Sequence, residues 1–75
     1  MKIHIKIIGH LIYDAGFSEK AVELPASATA ENLIARLNIP REKPKILTRN
    51  GKAVNLQEEL ADGDRIVIAP IYSGG

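Results

Sequence analysis

Few residues in this chain have the types and spacing that covalent chemistry needs. Histidine, the side chain that titrates nearest neutrality, stands only at His4 and His10. A metal pair would require a third ligand and convergent geometry. His4 alternates with Ile3, Ile5 and Ile7 and so falls on the polar face of a strand, while His10 sits in a loop, so both are expected to face solvent. Ser18, Ser27 and Ser73 have no histidine placed to activate them and no G-x-S-x-G elbow around them. Neither G-x-G-x-x-G nor G-x-x-x-x-G-K occurs, so no phosphate loop is encoded. The absence of cysteine removes thiolate nucleophiles, disulfides and cysteine zinc sites. Arg41, Lys43, Lys45, Arg49 and Lys52 cluster, but without interleaved aromatics to stack on bases, and they read as a solvated connector.

What remains is the end, "PIYSGG". The two terminal glycines carry no side chains, so Gly74 and Gly75 could thread a narrow channel and approach another protein's catalytic centre. They would deliver the α-carboxylate of Gly75, ionised at neutral pH because such groups titrate near about 3.5. A carboxylate is a poor electrophile. Using it chemically requires activation, for example as a mixed anhydride with AMP.

The rest of the chain must hold that end out. A 75-residue chain is one small domain, burying only about 60% of its unfolded surface, and without cysteine it must rely on apolar packing. Its 45% hydrophobic content permits this. The net charge of +1 argues against a general electrostatic hold on nucleic acid. No apolar run reaches the length of a membrane span, and the alternating start does not read as a signal peptide. The cytoplasm is the expected location.

Period-two alternation predicts a strand over residues 2–8 and another over 20–24, joined as an antiparallel hairpin across a loop at 9–18 in which Leu11, Ile12 and Phe17 are partly tucked in. Thr29 is a good N-cap for a helix whose stripe is Leu33, Ile34 and Leu37 and whose stop is Asn38 and Pro40. Asn32 stands where a capping box carries Glu or Gln, so the box reads as incomplete. Asn50-Gly51 marks a tight hairpin between two short strands. Leu56 and Leu60 are spaced for a helical turn, and "RIVIA" (65–69) is apolar enough to be a central strand, which Pro70 should stop by removing a donor. The first and last strands are expected side by side and parallel, with the helix as crossover. The architecture expected is α+β, a mixed sheet of four to five strands packed on one helix, with residues 1–70 as the domain and 71–75 as a flexible Gly-Gly tail.

"LADGDRIVIAP" running into "YSGG" resembles the bacterial sulfur carriers of the MoaD/ThiS family, within the ubiquitin-like β-grasp proteins. Leu60, Asp62, Gly63, Asp64, Ile66, Ile68, Pro70, Gly74 and Gly75 carry the match, and "TAENLIARL" is similar to the helix of ubiquitin-like domains. The resemblance implies that an activating enzyme adenylates Gly75 with ATP and magnesium and that sulfur then replaces AMP as a thiocarboxylate. A synthase uses that sulfur for molybdopterin, thiazole or another thiolated product. The chain would then be a co-substrate, not an enzyme, binding no cofactor of its own. Gly75 would react, with Gly74 as spacer and Pro70, Ile71, Tyr72 and Ser73 read by the partner. Members serving molybdopterin usually carry Pro-Pro and a small residue before Gly-Gly and a helical insertion after the first strand. Here a single Pro70 precedes Ile71 and Tyr72, which leans toward the thiamine type or an unassigned relative. Two other functions share the features: a modifier linked through Gly75 to lysines, and a plain β-grasp binding module. Nucleic-acid and membrane partners are not expected.

Overall fold

A computed structural model describes residues 1–71. The chain runs β1 (Lys2–Ile7), α1 (Leu11–Ala15), β2 (Glu19–Glu23), α2 (Ala30–Arg36), β3 (Lys45–Arg49), β4 (Lys52–Ala53) and β5 (Arg65–Pro70). The five strands form one mixed sheet in the order β2-β1-β5-β3-β4. β1 and β5 lie side by side and parallel, with Ile5 opposite Ile66 and Ile7 opposite Ile68; every other pairing is antiparallel.

The alternation of β1 decides which face is covered. Ile3, Ile5 and Ile7 are buried while Lys2, His4 and Lys6 are exposed, because successive side chains of a strand point to opposite faces. Ile66 and Ile68 continue the buried row on β5, and Leu33, Ile34 and Leu37 of α2 and its cap pack against it. Burying one such aliphatic side chain is worth about 1.5–3 kcal/mol, which is how a small domain without disulfides holds together.

Four local expectations need correction. The stretch 9–18 is not simply a loop, because it contains α1, so the sheet packs on two helices rather than one. Leu11 is fully buried, and Gly16, at φ +84°, takes the left-handed position that ends the helix, its N–H donating to Ile12 O. Gly9 and Gly16 flank this helix, Gly9 just before its N-cap His10 and Gly16 as its C-cap. Second, the capping box of α2 is complete: Thr29 Oγ1 accepts from Asn32 N at 3.2 Å and Asn32 Oδ1 accepts from Thr29 N at 2.9 Å. An asparagine carbonyl reaches back as a longer Glu or Gln would.

Third, the segment at Leu56 to Leu60 makes a single turn, closed by Glu58 N donating to Asn55 O at 3.1 Å, and no helix. Leu56 O and Glu58 O accept from Glu31 N and Ala30 N, at 2.9 and 3.0 Å, and Leu60 N donates to Ala28 O. The segment thus satisfies the first N–H groups of α2, which have no partner within the helix. Fourth, β5 includes Pro70, which lies opposite Lys45. The hairpin at Asn50 and Gly51 is as expected, with φ +53° and +88°, as is the helix stop at Asn38, at φ +61°.

Candidate functional site at the end of strand 5

β5 is central, and its two ends do different work. At its start lies the Asp-Gly-Asp turn. Gly63, at φ +85°, donates its N–H to Lys2 O at 2.8 Å. Asp62 Oδ1 accepts from Lys2 N at 2.6 Å. Asp64 is the one buried charged side chain among the described residues, 7% exposed; it accepts from Ala61 N at 2.8 Å and Asn50 Nδ2 at 3.2 Å. Asn50 in turn accepts from Arg65 N at 3.0 Å. The turn therefore locks the start of β5 to the start of β1 and to the β3–β4 hairpin. It is a structural anchor, about 20 Å from the other end of the six-residue strand.

At that other end the backbone shows what Pro70 does. Odd residues of β5 bond toward β3: Asn50 N donates to Arg65 O and Ile71 N donates to Pro44 O, at 2.8 and 3.2 Å. Even residues bond toward β1: His4 N donates to Asp64 O and Ile8 N to Ile68 O, both at 2.9 Å. Pro70 is even, so the donor it lacks is the one that would extend the pairing with β1. It ends the strand on one side only, and the chain stays tethered to β3 through Ile71.

Side chains around this exit are apolar and open to solvent. Ile8, Ile46 and Ile71 are 44%, 47% and 52% exposed, and Val67 and Ala69 are half-buried. Ile46 lies opposite Ala69, and residues 67, 69 and 71 share the face that α2 leaves uncovered. Lys6 and Arg65 stand on the same face, exposed. Ile8, Ile46 and Ile71 thus leave exposed apolar surface beside the last described residue, the kind of surface on which partners dock. Of the residues read as working parts, Pro70 and Ile71 lie on this surface or at its edge; Tyr72, Ser73, Gly74 and Gly75 lie outside the described residues. Sequence reasoning missed Ile8 and Ile46. Both are apolar residues on the polar phase of their strands, a pattern that acquires meaning only once the strand order brings them beside Ala69 and Ile71.

The remaining candidates resolve differently. His4 and His10 are exposed. Among the described residues no group of three His, Cys, Asp or Glu side chains is placed to hold a metal, and no helix is long and apolar enough to cross a membrane. The basic cluster is a solvated connector only in part: Arg41 and Lys52 are exposed, while Lys43, Lys45 and Arg49 are partly buried and bonded. Lys43 Nζ donates to Asp14 Oδ2 at 2.8 Å. Lys45 Nζ donates to Lys43 O and Arg41 O at 2.6 and 3.2 Å, and burial lowers its pKa below the ordinary lysine value. Arg49 donates to Glu59 O at 2.7 Å and pairs with Glu58 at 3.4 Å. Arg41 lies 2.8 Å from Glu31 Oε2, an ion pair out of hydrogen-bonding alignment, since that oxygen has no aligned donor.

A mixed five-stranded sheet with parallel central strands, a packed helix and an apolar open face at the exit of its last strand defines a ubiquitin-like β-grasp protein. The chain belongs to the ThiS family, whose model matches residues 5–75. ThiS-family proteins are small sulfur carriers rather than catalysts. Similar solved structures include a molybdopterin converting factor subunit 1 of Pyrococcus furiosus, at 26% identity over 93% of this chain and 97% of that one, with a TM-score of 0.79. The small archaeal modifier protein of Haloferax volcanii is similar over 100% of both chains, at 24% identity and a TM-score of 0.77. A chain from the complex of subunits 1 and 2 of the molybdopterin-converting factor of Helicobacter pylori matches over 100% of both chains, at 20% identity and 0.69. No curated protein matches the chain in sequence.

Proposed function

We propose that this protein carries sulfur on Gly75. In this reading residues 1–70 are the body that partners recognise and 71–75 the tail that enters them. An activating enzyme uses ATP and magnesium: the Gly75 carboxylate attacks the α-phosphorus, pyrophosphate leaves, and an acyl-adenylate forms. A hydrosulfide ion then attacks the acyl carbon, the C–O bond to the phosphate breaks and AMP departs, leaving a thiocarboxylate. A synthase takes the sulfur into a cofactor of the thiamine-thiazole or molybdopterin type. In this reading the chain holds no cofactor itself and works in the cytoplasm, where its activating enzyme has ATP.

The observation that carries this reading is the exposed apolar surface of Ile8, Ile46 and Ile71 at the exit of β5. It gives the activating enzyme and the synthase a surface to grip while Pro70, Ile71, Tyr72, Ser73 and Gly74 lead Gly75 inward. The test is ATP–pyrophosphate exchange by the activating enzyme, with full-length chain and with a chain lacking Gly74 and Gly75. Exchange with the first and none with the second supports the reading; equal exchange with both contradicts it.

A second reading is a modifier joined through Gly75 to lysines of other proteins, favoured by the likeness to the archaeal modifier. It shares the adenylation step and differs in its product. Branched peptides carrying the Gly75–lysine bond in cell digests distinguish it.

A further inference from the structure

The geometry points to Asp14 and Lys43 as a clasp that fixes the root of the C-terminal tail and makes them positioning residues for its delivery; this rests on the sulfur-carrier reading. β1 and β5 are parallel, so both finish at one end of the sheet, and β3, antiparallel to β5, starts there. α1 hangs from the end of β1 and the 41–44 loop leads into β3. These two elements therefore stand on opposite sides of β5 where Pro70 and Ile71 leave it. The hydrogen bond from Lys43 Nζ to Asp14 Oδ2, 2.8 Å long, joins them. Asp14 and Lys43 are both partly buried, and such charge-assisted bonds are stronger than neutral ones.

The loop is built as a bracket. Lys45 Nζ holds the carbonyls of Arg41 and Lys43, Lys43 N donates to Pro40 O at 3.2 Å, and Pro44 O accepts the N–H of Ile71. Pro70 has no N–H for β1. Among the described residues, the tail root is held by the hydrogen bond from Ile71 N–H to Pro44 O, whose acceptor lies on a loop tied to α1 through Lys43. α1, at five residues, is far too short to persist by its own hydrogen bonds, so it depends on Leu11 in the core and on this tie. Fixing the direction in which the tail leaves removes conformational freedom before binding, which raises the productive fraction of encounters.

The test uses amide hydrogen exchange on the full chain with Asp14→Asn, with Lys43→Met, and with the reversal combining Asp14→Lys and Lys43→Asp. Ile8, whose N–H donates to Ile68 O, is the internal reference for folding. Exchange at Ile71 is expected to rise about threefold in each single variant, the scale of a partly exposed charge pair, with Ile8 unchanged and Ile71 protection restored in the reversal. In the adenylation assay kcat/KM falls by a similar factor in the singles and recovers in the reversal. Unchanged exchange at Ile71, or no recovery, overturns the clasp. Faster exchange with unaltered kcat/KM overturns its role in delivery. Absence of adenylation even in the unaltered chain counts against the sulfur-carrier reading, and with it the delivery role, while the exchange data decide the clasp separately.

Discussion

Asp64 shows how a single residue in a recognisable motif does structural work. Its carboxylate is buried and receives the Ala61 N–H and the Asn50 amide, with Arg49 Nη1 at 3.9 Å. Asp64→Ala leaves those donors without their acceptor, at a cost of about 1–3 kcal/mol. In a domain of this size that lowers the melting temperature by at least about 4 °C, measurable by calorimetry, with the apolar patch at the far end of β5 intact. Lys45 gives a signed pH effect. Its pKa is lowered in the folded state by desolvation, with Glu42 opposing, so the unfolded chain binds more protons in that range. Stability should therefore rise with pH between the lowered value and the ordinary 10.5. Comparing urea midpoints of the parent and Lys45→Met across that alkaline range checks it: the parent gains relative to the variant, and parallel curves would contradict the linkage.

At the scale of elements, sequence made strands legible and connections less so. β1 and β5 declare themselves because alternation and β-branching agree with their burial. α1 does not, because five residues give too little periodicity to see, and the glycines that flank it also fit a loop. The 55–60 segment misleads because Leu56 and Leu60 sit at helical spacing for a different reason: Leu60 fills the core while the neighbouring carbonyls serve α2. That service, with the Thr29–Asn32 box, starts a helix of only seven residues. Thr29→Ala removes one of its N-terminal acceptors and should cost about 1 kcal/mol. Asn32→Ala, which removes the reciprocal half, should also destabilise; urea denaturation measures both. An unchanged midpoint in each would mean that the 55–60 carbonyls suffice alone.

For the whole molecule, one face of the sheet is covered by the core and the other is left open, and the proposed function gives that open face to partners. The division is visible in sequence only by hindsight on Ile8 and Ile46, since an apolar residue on a polar phase has no meaning until the strand order brings it beside Ala69 and Ile71. The terminal residues Tyr72 to Gly75 lie outside the described residues, so the role proposed for the Gly75 carboxylate rests on residue types and on the family match. Ile46→Glu or Ile8→Glu puts a charge into the patch without opening the core. Affinity for the activating enzyme, measured by titration calorimetry, should fall at least about tenfold with the melting temperature little changed. The central claim is that sulfur is carried on Gly75, and mass spectrometry of the protein co-expressed with its activating enzyme and a sulfur donor tests it most directly. A C-terminal fragment heavier by the difference between sulfur and oxygen, and absent when Gly75 is deleted, is the predicted result; an unshifted fragment alongside active enzyme would contradict it.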